Sequence, residues 1–435
     1  MAGGLGTRMR SATPKHLHPL LGRRMVDWVL EAARPLGPEP LVVVASPDTA
    51  DAFDGVAVAV QEQPLGTGDA IRSARSALAG VARDVLVLSG DTPLLTAELL
   101  SRLVETHRGH DAAATVLSFS PADVRNYGRV LRDGDGNLSA IVEAVDATPE
   151  QLRTREVNSS IYVFRADALW PALERLTPHN VQGELYLTDA VCFLVEDGER
   201  VAVHEAPDPE EAEGVNTRAE LAAAAAQLRD RINRGHMLAG ATIVDPATTW
   251  IEPTVALEPD STIHPFTVLS GATSVATGAV VGSHVVAIDA RIGRNVTVGP
   301  FCYLRPGTEL AAGAKAGTFV EIKASQIGER AKVPHLSYIG DAEIGEGTNI
   351  GAGAITANFP HQQGRPKGRT KIGRNVRTGV HNAFRAPVEI GDGSWIAAGS
   401  VITDDVPPGS LAGFPPRQVT KEGYVNEQRE QRNDD

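Results

Sequence analysis

Aliphatic side chains recur at every sixth residue through much of the C-terminal half of this chain. They stand at Ile251, Leu257, Ile263, Leu269, Val275 and Val281. The series slips after Val281 and resumes at Ile292, Val298, Leu304 and Leu310, then at Ala316 and Ile322, Ile327, Val333 and Ile339, and Ile344 and Ile350. It closes with Ile372, Thr378, Phe384, Ile390, Ile396 and Ile402. The next residue is often glycine, as at Gly282, Gly293, Gly317, Gly328, Gly351, Gly373 and Gly379. A period of six fits neither the 3.6 of a helix nor the alternation of a half-buried strand. It predicts a parallel β-helix with triangular coils, one hexad to each side. The aliphatic residue points into the prism, its small neighbour lets the chain turn, and the coils stack about 4.8 Å apart. The polar stretch 356–371, rich in Gly, Pro and Arg, reads as a loop projecting from the prism, and the charged tail from 421 onward as frayed.

The first half has another rhythm. Apolar runs at 41–45 and 85–88 lack polar alternation and suit strands buried on both faces, as in parallel sheets. Further strands are expected at 113–118 and 160–164, with a short helix over 69–78. Strands alternating with helices predict an open α/β sheet over roughly 1–215, with ligands at the carboxyl ends of its strands. A helix over 217–234 opens on a T-x-x-E capping box, Thr217 and Glu220, and is expected to stop at Gly235 and Gly240. The organisation expected is therefore 1–216, a linker helix 217–240, a prism 241–420 and a tail 421–435.

With 435 residues the chain is too long for one core. A net charge of −13 without a basic tract argues against nucleic acid as a partner. No apolar run approaches the roughly 18 residues of a membrane helix, and the N-terminus has no signal-peptide core. Cys192 and Cys302 are too few for a disulfide framework. A soluble cytoplasmic protein is expected, with no membrane partner.

The first chemical signal is Gly3-Gly4-Leu5-Gly6-Thr7-Arg8-Met9 followed by Pro14-Lys15. Glycines let backbone N–H groups approach a phosphate, and Arg and Lys supply charge. The spacing matches neither a Rossmann nor a P-loop fingerprint, and a plain glycine turn fits as well. Asp91 before Thr92-Pro93 suits a helix cap as much as a ligand, Asn216 a turn residue, and Lys15 a solvated charge.

Taken together, GxGTRM…PK resembles the signature of sugar-nucleotidyltransferases. With the hexads behind it, residues 1–425 resemble a family of bacterial enzymes that pair N-acetylglucosamine-1-phosphate uridylyltransferase with glucosamine-1-phosphate acetyltransferase activity. The resemblance implies a Rossmann-like N-terminal α/β domain and a left-handed β-helix of hexapeptide repeats. It implies UTP and N-acetylglucosamine 1-phosphate as substrates of the first half, with Mg2+, and acetyl-CoA and glucosamine 1-phosphate as substrates of the second. Ala2, Gly3 and Gly4 would meet the uracil with their backbone. Arg8 and Lys15 would hold the triphosphate, and Gln61, Gly66 and Thr67 would read the base. Asp91, after Gly90, and Asn216 would hold the metal. Gly128, Glu143 and Asn158 would contact the sugar. In the second half His335 would be the general base, with Arg305 and Lys323 on the sugar phosphate and Tyr338 and Asn349 orienting the sugar. Ala352, Asn358, Phe359, Val380 and Ala398 would line the acetyl-CoA site. Enzymes of this kind are homotrimers with sites between subunits, so a homotrimer is expected.

Several residues depart from the family pattern. Phe359 replaces a Tyr, Val380 a Ser, His381 an Asp and Pro415 an Arg near the CoA phosphates, although Arg417 is close. These changes predict a weakened acetyl-CoA site. Ser159-Ser160 stands where the family has Thr-Gly. The family also has a strand of about seven residues ahead of the glycine loop, where this sequence starts at Met1, so a start codon further upstream is expected. Two other readings carry the same domains: a single-activity nucleotidyltransferase whose prism is a scaffold, and a non-catalytic regulatory subunit. Asn216, Glu143 and the His335–Tyr338 block argue against the first, and Lys15, Asp91 and Asn216 against the second.

Overall fold

A computed structural model of the chain describes residues 1–4, 6–80, 83–360, 366–413 and 418–425. Leu5, Pro415 and Arg417 lie outside them. The chain forms two compact units, Met1–Leu228 and Arg229–Asp435.

Apart from a two-residue hairpin pair at Pro19–Leu20 and Arg23–Arg24, the described residues of the N-terminal unit form eight strands: β1 (Val42–Ala45), β2 (Ala57–Val60), β3 (Asp84–Val87), β4 (Ala114–Phe119), β5 (Arg129–Arg132), β6 (Leu138–Val142), β7 (Val157–Arg165) and β8 (Val201–Glu205). β1 and β2 pair in parallel, as do β4 and β8. The nine-residue β7 runs against them, antiparallel to β4 on one side and to β3 and β5 on the other. The sheet is therefore mixed. Unbroken apolar runs report burial on both faces, which β7 shares with its neighbours, and carry no information on direction. Helices α1 (Met25–Ala33), α2 (Thr67–Ser73), α3 (Ala97–Gly109), α4 (Ala166–Glu174) and α5 (Leu187–Glu196) pack around these strands, each burying an apolar stripe.

β1 and β3 do not pair with each other. A cavity of about 740 Å³ separates them, lined by Val42, Val43, Val44, Val85, Leu86 and Val163 among others. Among the described residues Met1 and Ala2 bridge its end: the Ala2 amide donates to Val44 O (2.6 Å) and the Gly90 amide to Met1 O (2.9 Å). The Met1 amino group donates to Leu88 O (2.8 Å). Burial pushes that amine down to about 6, with the Asp91 charge opposing. Two strand edges that are not paired with each other form the walls of this slot.

Helix α6 (Arg218–Leu238) opens on the expected capping box. The Glu220 amide donates to Thr217 Oγ1 (3.2 Å), and the Thr217 amide to Glu220 Oε2 (3.0 Å). The helix runs through Gly235, which costs it only about 1 kcal/mol, and ends before Gly240, where φ is +103°.

The C-terminal unit is the three-sided prism that the hexads predict. Successive coils pair in parallel: Thr262 with Val280, 18 residues on, and Val280 with Thr297, 17 on. The slip after Val281 is one residue dropped from a coil. Every hexad position named above is buried in one continuous core, except Leu257, which is half-buried, and Thr378, a buried hydroxyl. Buried hydroxyls close the corners. The single hydroxyl hydrogen of Thr308, for example, lies within reach of Arg305 O (2.7 Å) and of Ile322 O of the next coil (3.0 Å), so a polar group sits inside with its donor satisfied. Glycine follows the aliphatic residue because coils touch there: a Cβ on Gly317 would lie 2.0 Å from Pro334 O, and one on Gly351 2.0 Å from Gly379 O. One coil is longer. Asn349 bridges Arg377, 28 residues away, and the polar stretch lies within it.

Lengthening the chain with seven apolar, strand-forming residues ahead of Met1 is expected to fill the slot. The N-terminal unit should then unfold several degrees higher, at about 2–4 °C per kcal/mol gained. Calorimetry of the two lengths checks this, and an unchanged midpoint would mean that the slot takes no strand.

Candidate active sites

In the N-terminal unit the sequence-expected residues gather at the carboxyl ends of β1, β2 and β3. Ala2 bridges Ala45 at the end of β1. Gln61 directly follows β2, and its Nε2 donates to Gly66 O (3.1 Å) and to Asp69 Oδ2 (3.0 Å). Its Oε1 leaves no room beside Gly3, where a Cβ would lie 3.0 Å away. Thr67 Oγ1 accepts from the Leu187 amide (3.0 Å) and ties the start of α2 to that of α5.

The charged centre is formed by Arg8, Lys15, Asp91 and Asn216. Gly6 has φ +59°, and a Cβ there would lie 2.5 Å from Lys15 Cβ, so the glycine loop packs directly on the lysine stem. Lys15 Nζ donates to Asp91 Oδ2 and to Asn216 Oδ1 (3.1 Å), and Arg8 donates to the same amide oxygen (2.8 Å). Ser89 Oγ donates to Asp91 Oδ1 (2.6 Å). The Val215 amide binds Asp91 O (2.8 Å), which brings Asn216 alongside, and Glu220 Oε2 accepts from the Asn216 amide (2.6 Å). Burial opposes ionisation of Asp91, but the Lys15 and His16 charges and the bonds from Lys15 and Ser89 outweigh it and hold the carboxyl well below the usual range.

One ammonium thus touches both Asp91 and Asn216, so their oxygens are placed to share a cation. Two hard oxygen donors from the protein, completed by water and phosphate, suit Mg2+. Sequence reasoning overlooked His16. It is buried beneath this centre with Nδ1 lacking a partner among the described residues, and burial pushes it down to about 4.

The sugar candidates form an adjoining group. The Asn158 amide donates to Gly128 O (2.9 Å), and a Cβ on Gly128 would lie 3.4 Å from Glu143 Oε2. Asn158 Nδ2 donates to the buried Tyr162 hydroxyl (2.7 Å). Burial pushes Glu143 up, against the bond from Thr188 Oγ1 (3.2 Å). Tyr127 links the two groups: its hydroxyl accepts from the Gly214 amide (3.0 Å), and a Cβ on Gly214 would lie 3.6 Å from Asp91 Oδ1.

In the prism, register decides what is close. Thr318 pairs with His335, and the bridges from Lys332 through Asn349 to Arg377 and on to Trp395 carry the same register upward. His335, Ala352, Val380 and Ala398 therefore occupy one position in successive coils. A ladder joins them: the Gly353 amide donates to His335 O (3.3 Å), that of His381 to Ala352 O (2.7 Å) and that of Gly399 to Val380 O (2.8 Å). They make a straight column along one edge, rising about 4.8 Å per coil. His335 is exposed, and no hydrogen bond to its ring is found among the described residues.

Arg305, Lys323, Tyr338 and Asn358 share the adjacent face. Arg305 donates to Glu321 (2.9 Å), Lys323 lies 3.7 Å from Asp341, and Asn358 Nδ2 reaches Asp341 and the Tyr338 hydroxyl (3.5 Å). Asn358 thus stands with the sugar-phosphate candidates rather than in the column, while Phe359 beside it is 76% exposed. Asn349 stands with Lys332 and Arg377 on a third stretch of surface, apart from Tyr338. Lys367 was missed by motif reading. The neighbouring Lys323 pushes its ammonium down, and two lysines side by side suit a phosphate. The only sequence signal was the charge of the GRPKGRTK stretch.

A glycine loop seated on a lysine, with acid and amide oxygens converging beyond strand ends, is a nucleotidyltransferase arrangement. Residues 1–191 match the model of the MobA-like NTP transferase domain. Over 99% of its length the chain is 47% identical to the bifunctional protein GlmU of Streptomyces coelicolor, covering 94% of that protein. It is 46% identical to GlmU of Streptomyces avermitilis, covering 99% of this chain and 94% of that one, and 44% to GlmU of Mycobacterium marinum, covering 99% and 92%. The chain belongs to the GlmU family.

Ser160 sits at φ +62°, in the region that costs a side-chain-bearing residue roughly 1–2 kcal/mol and that glycine enters freely. Ser160→Gly is expected to stabilise the N-terminal unit by about 1 kcal/mol, measured by urea unfolding.

Proposed function

We propose that this chain makes UDP-N-acetylglucosamine in two steps, each in its own unit. The prism transfers acetyl from acetyl-CoA to the amine of glucosamine 1-phosphate. The α/β unit then joins N-acetylglucosamine 1-phosphate to UTP and releases pyrophosphate. The observation that carries the reading is the convergence of Asp91 and Asn216 on one ammonium beside the glycine loop. Cytoplasmic UTP and acetyl-CoA supplies favour a cytoplasmic enzyme.

In uridylyl transfer an oxygen of the sugar phosphate attacks the α-phosphorus of UTP, and the bond to the β-phosphate oxygen breaks. The nucleophile is already an anion, so no strong base is needed. Catalysis reduces to in-line positioning and charge neutralisation. Arg8 and Lys15 neutralise the phosphates, Gln61 and the Gly66–Thr67 turn hold the base, and Glu143, Asn158 and the Gly128 backbone hold the sugar. Asp91 and Asn216 would hold Mg2+, which when bound neutralises phosphate charge. In acetyl transfer the sugar amine attacks the thioester carbonyl, His335 takes the amine proton, and the CoA thiolate leaves. Arg305, Lys323 and Lys367 bind the sugar phosphate. The thioester arm lies along the column of Ala352, Val380 and Ala398. Val380 narrows that column, which supports a weakened hold on acetyl-CoA.

Asn349 and Tyr338 lie on separate stretches of the prism, and a second copy would bring such surfaces together. The same edge carries an exposed stack of Phe266, His284, Phe301 and Phe319, with ring centroids 4.8, 4.7 and 5.3 Å apart. Both features support a homotrimer. Sedimentation equilibrium is expected to return three times the 45.9 kDa chain mass, and a monomer at micromolar concentration would refute this.

Two substitutions test the division of labour. Asp91→Ala is expected to cut pyrophosphate release from UTP and N-acetylglucosamine 1-phosphate by about 10²-fold or more, leaving acetyl transfer intact. His335→Ala is expected to do the reverse, with a loss of about 10²–10⁴-fold in acetyl transfer. Unchanged acetyl transfer in His335→Ala would favour the scaffold reading of the prism.

A further inference from the structure

The two oxygens best placed for a divalent cation are already taken. Lys15 Nζ donates to Asp91 Oδ2 and to Asn216 Oδ1 (3.1 Å), and Arg8 donates to the same Asn216 oxygen (2.8 Å). Ser89 holds the other Asp91 oxygen (2.6 Å). The Lys15 and Asp91 side chains are 11% and 15% exposed, so water does little to screen the pair. No group of three or more His, Cys, Asp or Glu side chains able to hold a metal occurs among the described residues. A divalent ion arriving alone would gain two protein ligands. It would also have to displace an ammonium from a low-dielectric position beside the Arg8 guanidinium, with no anion to receive it. A triphosphate supplies what is lacking, oxygens for both side-chain cations and further ligands for the metal. Gly6 keeps the stem of Lys15 against the loop, since a Cβ there would lie 2.5 Å from Lys15 Cβ. The ammonium can therefore change partner by rotating its outer carbons while the backbone stays in place.

We propose that Lys15 is the resident counter-ion of this site: it holds Asp91 and Asn216 while no nucleotide is bound, and yields them to a divalent cation only when nucleotide phosphates draw its ammonium away. The proposal rests on the nucleotidyltransferase reading of the site and adds an order to it. Lys15 guards the metal position in the free protein and grips phosphate in the loaded one. Nucleotide and metal then favour each other reciprocally, because each removes an obstacle to the other.

The test uses the full chain and Mn2+ as the probe, without substrate, followed by electron paramagnetic resonance and calorimetric titration. Lys15→Met removes the charge and keeps the stem. It is expected to bind Mn2+ alone at least tenfold more tightly than the unaltered chain, and adding Asp91→Asn to it should erase the gain. Lys15→Arg keeps a cation and should show no gain. Mn2+ should also raise the unfolding midpoint of Lys15→Met by several degrees and leave that of the unaltered chain within one degree. Equal Mn2+ affinity in the unaltered chain and a folded Lys15→Met overturns the proposal. If Lys15→Met unfolds, its refolding on addition of Mn2+ supports the proposal. Failure to refold, together with no gain in Lys15→Gln, overturns it. A separate arm measures binding of the Mn2+–UTP complex to Asp91→Asn. Binding as tight as that of the unaltered chain would sink the nucleotidyltransferase reading of the centre itself. Lost binding there, with no Mn2+ gain in Lys15→Met, would sink only the counter-ion role.

Discussion

Main-chain hydrogen bonds from each coil to the next are the constraint on which the prism depends. The ladder fixes register, and register puts His335, Ala352, Val380 and Ala398 in line although 63 residues separate the first from the last. No side-chain interaction is needed to hold that alignment. The apolar positions serve it by filling the interior, and the glycines by letting one coil approach the next. A site built on such a ladder is rigid by construction, which suits a reaction that needs a base, an amine and a thioester at fixed spacing.

The N-terminal unit solves the opposite problem. Its centre gathers polar groups from chain positions more than 200 residues apart, the cations Arg8 and Lys15 at one end and the Asn216 amide at the other. The pieces are held by short local devices: Gly6 against the lysine, Ser89 against the aspartate, and the cap of α6 against Asn216. The like charges of Arg8 and Lys15 meet on one amide oxygen, and ionised Asp91 offsets one of them, so the centre keeps an excess positive charge that suits phosphate.

The prism was legible in the sequence because a single period repeats and each repeat has the same physical cause. Even its one-residue slip after Val281 could be read. The capping box of α6 was legible for the same reason, a local rule with a local cause, although the helix outran Gly235. The direction of β7 was not, since burial on both faces leaves no mark that separates parallel from antiparallel pairing. Among site residues, those carried by a motif came together at the strand ends. Lys367 had no motif around it, and His16 gave no sign that its ring lies beneath Asp91. The separation of Asn349 from Tyr338 was also hidden, because the hexad count says which residues point outward and not which outward surfaces a bound sugar can reach at once.

The long coil between Asn349 and Arg377 has a consequence beyond its own contacts. It takes in ten more residues than an ordinary turn of the prism, yet the strands on either side keep step. The extra chain leaves at a corner and returns at a corner, so the count on the faces is unaltered. The prism thus behaves as a ruler whose graduations survive an insertion, and new chemistry can be grafted at a corner without moving anything above or below it.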